Sequence, residues 1–172
     1  MALVSYVSNA DAEEKIRPIF ENIEKKGGAV PNVLRAMAHS PHLFEGFLAL
    51  NGALNKTKLD GKLRELAYIK TSELNGCDYC LHHHRGYGLK AGLSERQVNE
   101  TADFEGNDAF DDLQRDVMRY AEEVTRHVDV SDALVDRLRQ TLSDREIVEL
   151  AMTVGIANFT NRVTETLKME LP

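Results

Sequence analysis

"RELAYIKTSELNGCDYCLHHHRGYGLKAGL", residues 64–93, contains both cysteines of the chain and three of its six histidines. Asn75 and Gly76 are the residue types that end helices, so the stretch reads as one helix, a tight turn and a second helix opening at Cys77. Cys77 and Cys80 then lie three residues apart in a first helical turn, on one face, close enough to form and break a disulfide. The unpaired amides and dipole of a helix N-terminus favour a thiolate there over a free thiol of pKa about 8.5. His84 follows Cys80 by four residues and Cys77 by seven, which places it over the same stripe. His82 and His83 are turned away from that stripe by successive steps of about 100°.

The helical period extends in both directions from this hairpin. Prolines occur only at positions 18, 31, 41 and 172, which leaves long stretches free of the strongest helix breaker. Ser94 with Gln97 and Ser143 with Glu146 have capping-box spacing, and Ser40 before Pro41 puts proline at a first helical position. The pattern predicts helices near 11–26, 32–39, 41–55, 60–75, 77–91, 94–103, 109–127, 131–140 and 143–168, with Pro18 either kinking the first or marking its true start. Only "ALVSYV" near the N-terminus has strand-like residues. The expected fold class is therefore all-α: a compact multi-helix domain with the CxxC at the N-terminus of a central helix. One domain is expected over 1–172, with an N-terminal helical extension to about residue 30 and a core over about 31–170.

Composition narrows the setting. At 172 residues the chain can bury roughly 70% of its unfolded surface without a staple. A net charge of −7 argues against nucleic acid as a partner, because phosphate binding needs a basic face. The start lacks a basic segment followed by a long apolar run, and no stretch approaches the roughly 20 apolar residues of a membrane span. A cytoplasmic location without membrane attachment is the expectation. In such a reducing setting two closely spaced cysteines point to redox or metal chemistry before a structural staple. Residues 103–116 hold six acids against the single base Arg115, which reads as a solvated loop and helix start. "GYGLKAG" falls in or after a helix and lacks the preceding strand of a phosphate loop. His39, His42 and His127 are isolated and read as surface or packing residues.

If the two helices pack antiparallel about Gly76, a residue facing His84 must lie roughly 10 Å or more back from the turn, at about 1.5 Å per residue. Glu65 meets that condition and shares a stripe with Tyr68, Ile69 and Ser72. Burial there would suit it to passing protons, whereas an exposed surface glutamate is the alternative.

Glu65, eleven residues, Cys77, two residues, Cys80, three residues and His84 resembles the signature of alkylhydroperoxidase D and its relatives in the carboxymuconolactone decarboxylase superfamily. "GLKAGLSERQV" and "VELAMTVGIANFTNRV" extend the resemblance over roughly residues 30–168. The resemblance implies an all-helical fold, assembly as a homotrimer or homohexamer, and a thiol-dependent peroxidase that uses no cofactor and no metal. By the same resemblance Cys80 is the peroxidatic thiol, Cys77 closes the disulfide, and His84 and Glu65 shuttle the proton. The helix dipole alone would instead favour Cys77. Alkylhydroperoxidase D often has histidine just before the second cysteine, where this chain has Tyr79. The implied partners are a hydroperoxide and a thioredoxin-like, lipoyl-bearing or small-thiol reductant.

Three rivals stand beside that reading. Cys77, Cys80 and His84 could supply three zinc ligands, although no second CxxC or suitable distant histidine is evident. The pair could serve a disulfide reductase without peroxidase activity, or the cysteines could simply fill the core of a helical assembly protein. Lactone decarboxylation fits less well, because that branch of the superfamily lacks the cysteine pair.

Overall fold

The computed structural model describes residues 1–26 and 28–171. Among them there are nine α-helices and no strand: α1 (Arg17–Lys25), α2 (Asn32–Met37), α3 (Pro41–Leu54), α4 (Gly61–Leu74), α5 (Asp78–Ala91), α6 (Glu95–Asn99), α7 (Asp112–His127), α8 (Asp132–Leu138) and α9 (Asp144–Thr166). A 3₁₀ turn, Thr101–Gly106, follows α6. The helices divide between two compact units, Met1–Asn55 with the stretch from Thr164 onward, and Lys56–Val163.

In the first unit, Pro18 lies at the start of α1, so the helix begins there and not near residue 11. Proline fits a first turn because its missing N–H had no intrahelical partner to lose. Phe20 and Phe44 meet edge to face at 6.0 Å, and the Arg35 guanidinium covers the Phe20 ring at 5.0 Å. The strand-like segment "ALVSYV" is not a strand. Its backbone makes isolated bonds, Leu3 N–H to the Leu167 carbonyl and Val7 N–H to the Arg35 carbonyl, and no ladder forms. A β-propensity needs a neighbouring edge to pair with, and helices offer none.

In the second unit α4 is the inner element, packed against α5 on one side and α7 on another. Every residue from Glu65 to Ser72 is buried, so the polar ones among them, Glu65, Lys70, Thr71 and Ser72, must find their partners inside the protein. Leu63 and Ala67 face one core with Val117, Leu134, Leu138, Leu150 and Val154. Leu66 and Ile69 face a second with Leu93, Val98, Phe104 and Met118. Gly88 lets α5 come close to its neighbours, since a Cβ there would stand 2.9 Å from Val98 Cγ1 and 3.1 Å from Leu93 Cδ1.

The capping signals explain most boundaries. Ser94 and Gln97 form a reciprocal capping box, and Ser143 and Glu146 bond each other's backbone amides. Asp111 and Gln114 form a further box, so α7 starts at Asp112 and not near 109. The helix expected over 94–103 stops at Asn99, whose side chain donates to the Glu95 carbonyl at 2.8 Å, and the chain tightens into the 3₁₀ turn. That side-chain bond competes with continuation of the helix. "GYGLKAG" lies within α5 and its C-cap, Gly92.

Candidate active site

The site is built on the α4–α5 hairpin of the second unit. Asn75 caps α4, and Gly76 adopts φ +66°, a left-handed conformation that glycine enters without a Cβ penalty. The Cys77 N–H then donates back to the Ser72 carbonyl at 2.9 Å, closing the turn. Helix α9 holds this turn from outside: Asn161 Nδ2 donates to Ser72 Oγ at 3.1 Å, and Asn75 Nδ2 donates to Asn161 Oδ1 at 2.9 Å.

Cys77 is the N-cap of α5, and Cys77 and Cys80 are joined as a disulfide with Cα atoms 5.4 Å apart. The Cys80 N–H points at Cys77 Sγ at 3.2 Å, so an orphan amide of the helix start is aimed at a sulfur where a thiolate's charge would sit. Both residues are buried, Cys77 fully.

Glu65 and His84 meet across the hairpin, His84 Nδ1 to Glu65 Oε2 at 2.7 Å. Glu65 is 5% exposed, so it is not the surface glutamate that the sequence left open. Its other oxygen accepts from Arg64 Nε at 3.2 Å. A carboxylate takes the proton-bearing nitrogen of an imidazole, which makes Nδ1 the N–H of neutral His84 and leaves Nε2 as the nitrogen with a lone pair. His84 is also walled by aromatic rings: Tyr68 lies parallel to it at 3.4 Å and 9°, and Tyr87 stands edge-on at 5.3 Å. Burial, with the nearby Glu65 charge and Tyr87, pushes the Tyr68 hydroxyl up to about 12 despite its bond to Thr160, so it stays a neutral phenol.

His83 contacts Tyr79 at 4.7 Å and His82 at 5.2 Å, on the side of α5 turned from the Cys80–His84 stripe. Burial and its two histidine neighbours hold its imidazole below the usual range, hence neutral near pH 7. Among the described residues, no three His, Cys, Asp or Glu side chains converge as a metal site. No helix among them is long and apolar enough to cross a membrane.

The structure thus brings Glu65 to His84 and joins Cys77 to Cys80 on one hairpin. It adds Arg64 and Asn161, which the sequence reading did not single out, and a ring contact with His84 for Tyr68, which that reading placed only on the Glu65 stripe. Arg64 was recoverable as the neighbour of Glu65, and the stacking of Tyr68 on His84 from its place at i+3 on the Glu65 stripe. Asn161 had no local signal, because its partners lie 86 and 89 residues away.

A CxxC pair opening one helix of an all-α hairpin, whose imidazole is bonded to a buried carboxylate of the facing helix, defines a helical dithiol protein. Residues 41–123 match the model of the carboxymuconolactone decarboxylase family. The fold is similar over 98% of this chain to a peroxidase-related protein from Silicibacter sp. TM1040, at 26% identity, covering 91% of that chain with TM-score 0.87. It is similar over 99% to the alkylhydroperoxidase AhpD core of a peroxidase-related protein from Ralstonia eutropha JMP134, at 24% identity, covering 92% of that chain with TM-score 0.91. The debrominase Bmp8, solved as a cysteine-to-alanine variant in complex with 2,3,4-tribromopyrrole, shares the fold over the full length of this chain and 92% of its own, at 21% identity and TM-score 0.86. Residues 41–123 thus carry the pattern of the carboxymuconolactone decarboxylase family, and the chain shares its fold with alkylhydroperoxidase D-like, peroxidase-related proteins.

Proposed function

We propose that the protein is a thiol-dependent peroxidase that reduces small hydroperoxides through a Cys77–Cys80 dithiol/disulfide cycle. The observation that carries the reading is the 2.7 Å contact of His84 Nδ1 with buried Glu65, on the helix that opens with the joined cysteines. In the reduced protein His84 Nε2 accepts the Cys80 thiol proton, and Glu65 holds the resulting imidazolium through Nδ1–H. The Cys80 thiolate attacks the terminal peroxide oxygen and the O–O bond breaks. The sulfur becomes a sulfenic acid, and the departing alkoxide takes the proton from His84. The Cys77 thiol then attacks the Cys80 sulfur, forming the disulfide and releasing water. Two electrons and two protons from an external thiol reductant restore the dithiol.

The bond from the Cys80 amide to Cys77 Sγ favours a second order of events, in which Cys77 is the attacking thiolate and Cys80 resolves. Trapping separates the two: Cys77→Ser leaves a sulfenic acid on Cys80 under the first order, and Cys80→Ser abolishes reaction with peroxide. Reversed behaviour assigns the attack to Cys77.

The test of the reading is peroxide consumption by the reduced protein with dithiothreitol, a thioredoxin and a lipoyl-bearing protein as reductants, with mass spectrometry of the oxidised chain. Turnover with a Cys77–Cys80 disulfide as product is expected. Because a debrominase shares the fold, the same assay carries 2,3,4-tribromopyrrole. Bromide release without peroxide turnover would replace the peroxidase reading with reductive dehalogenation.

A further inference from the structure

We infer that Tyr68 is a positioning residue for His84: its ring face sets the plane of the imidazole and so aims Nε2. The inference rests on the reading of His84 as the base for a site thiol. A hydrogen bond from Nδ1 to Glu65 fixes one point of the ring, but leaves the imidazole free to tilt about the line of that bond. The parallel Tyr68 ring at 3.4 Å removes that freedom, because any tilt drives ring atoms into it. Tyr87, edge-on at 5.3 Å, limits movement on a further side.

Tyr68 can serve as a wall because it is itself held. It is 3% exposed, belongs to the inner helix α4, and its hydroxyl is hydrogen-bonded to Thr160 of α9. Glu65 and Tyr68 are three residues apart on the same helix, so one face of α4 supplies both the anchor for Nδ1 and the plate beneath the ring. The plate also has an electrostatic effect. When His84 takes the thiol proton, the negative face of a phenol ring lies against a cationic ring, which favours the protonated state of the step. As a phenol that stays neutral, Tyr68 exchanges no proton itself.

The experiment compares Tyr68→Phe, which keeps the ring and loses the hydroxyl, with Tyr68→Leu, which loses the ring. Two readouts on the reduced protein need no peroxide: ¹⁵N chemical shifts of the His84 ring nitrogens, and the rate of thiol alkylation by iodoacetamide at pH 7. Tyr68→Phe is expected to keep the Nδ1–H tautomer and most of the alkylation rate. Tyr68→Leu is expected to mix the tautomers and slow alkylation by about tenfold to a hundredfold, the usual consequence of a misplaced base. Wild-type tautomer and rate in Tyr68→Leu would overturn the inference, and so would equal damage in Tyr68→Phe, which would move the role to the hydroxyl. Should Tyr68→Leu fail to fold, Tyr68→Met, unbranched, flexible and without a ring, is read in the same way. A protein that consumes no peroxide yet shows these effects loses the peroxidase reading and keeps this one.

Discussion

Glu65 and Asp116 are both buried acids of the same helical unit, and they differ in what answers their charge. Asp116 on α7 meets two guanidiniums, Arg119 Nη1 at 2.7 Å and Arg137 Nη2 at 2.9 Å. Glu65 on α4 meets one guanidinium and the Nδ1 of an imidazole. Arginine does not release its proton in a protein, so the Asp116 cluster can only hold α7 and α8 together. Histidine binds and releases a proton near neutrality through a nitrogen that the carboxylate does not occupy. One arrangement is a clamp and the other can pass a proton, although a count of buried carboxylates would class them together.

The largest expected difference is in chemistry. His84→Gln should slow oxidation of the reduced protein by hydrogen peroxide about 100- to 10,000-fold, the usual range for loss of general acid–base help. Asp116→Asn should leave that rate unchanged. Stopped-flow fluorescence on both variants makes the comparison, and an equal loss in the two would erase it.

In stability the order reverses. Asp116→Asn leaves two arginines without their shared anion and should cost about 2 kcal/mol, less than a fully buried pair because both guanidiniums are partly exposed. Burial pushes the Asp116 carboxyl up, but the hydrogen bonds and charges of Arg137 and Arg119 outweigh it and hold it below the usual range. A depressed folded pKa gives stability that is present above the ordinary carboxylate value near 4 and lost as pH falls through the folded value. Urea midpoints of wild type and Asp116→Asn should therefore separate at pH 7 and converge in acid. A separation that stays constant down to pH 2 would contradict this account of the clamp.

Smaller effects sharpen the picture of how the hairpin is held. Asn161→Ala strips partners from buried Ser72 and half-buried Asn75 and should cost about 1–2 kcal/mol. It should also loosen the turn before Cys77, seen as faster hydrogen exchange at the Cys77 amide. Ser94→Ala removes one capping box far from this turn and should cost about 1 kcal/mol with no change in that exchange. Thermal unfolding and amide exchange on the two variants check both.

The Glu65 pairing was legible in the sequence and the Asp116 clamp was not, for a physical reason. Glu65 and His84 are joined through a single turn marked by Asn75 and Gly76, so helical rise alone carries one toward the other. Asp116 closes an acidic run that holds one base, and a charge count that stops there reads solvent. Its partners lie three residues beyond and, for Arg137, 21 residues away on another helix. The succession of the helices and most of their ends were readable because caps and prolines act within one turn of the chain. The failure of "ALVSYV" to become a strand, and the grip of Asn161 on the turn before Cys77, depend on which elements lie alongside. Periodicity carries no information about that.

The central claim is that Glu65 acts on Cys80 through His84. Its most direct test is the rate of Cys80 oxidation against pH in wild type, Glu65→Gln, His84→Gln and the double variant, with fold and thiol content matched. The amide keeps the shape of Glu65 and removes its charge, so Glu65→Gln should move the reactive range to higher pH and lower the rate at pH 7. The double variant should be little slower than the slower single variant, because residues acting in one chain do not add. An unchanged rate and pH profile in Glu65→Gln would contradict the claim, leaving His84 and the helix terminus as the sole source of thiol reactivity.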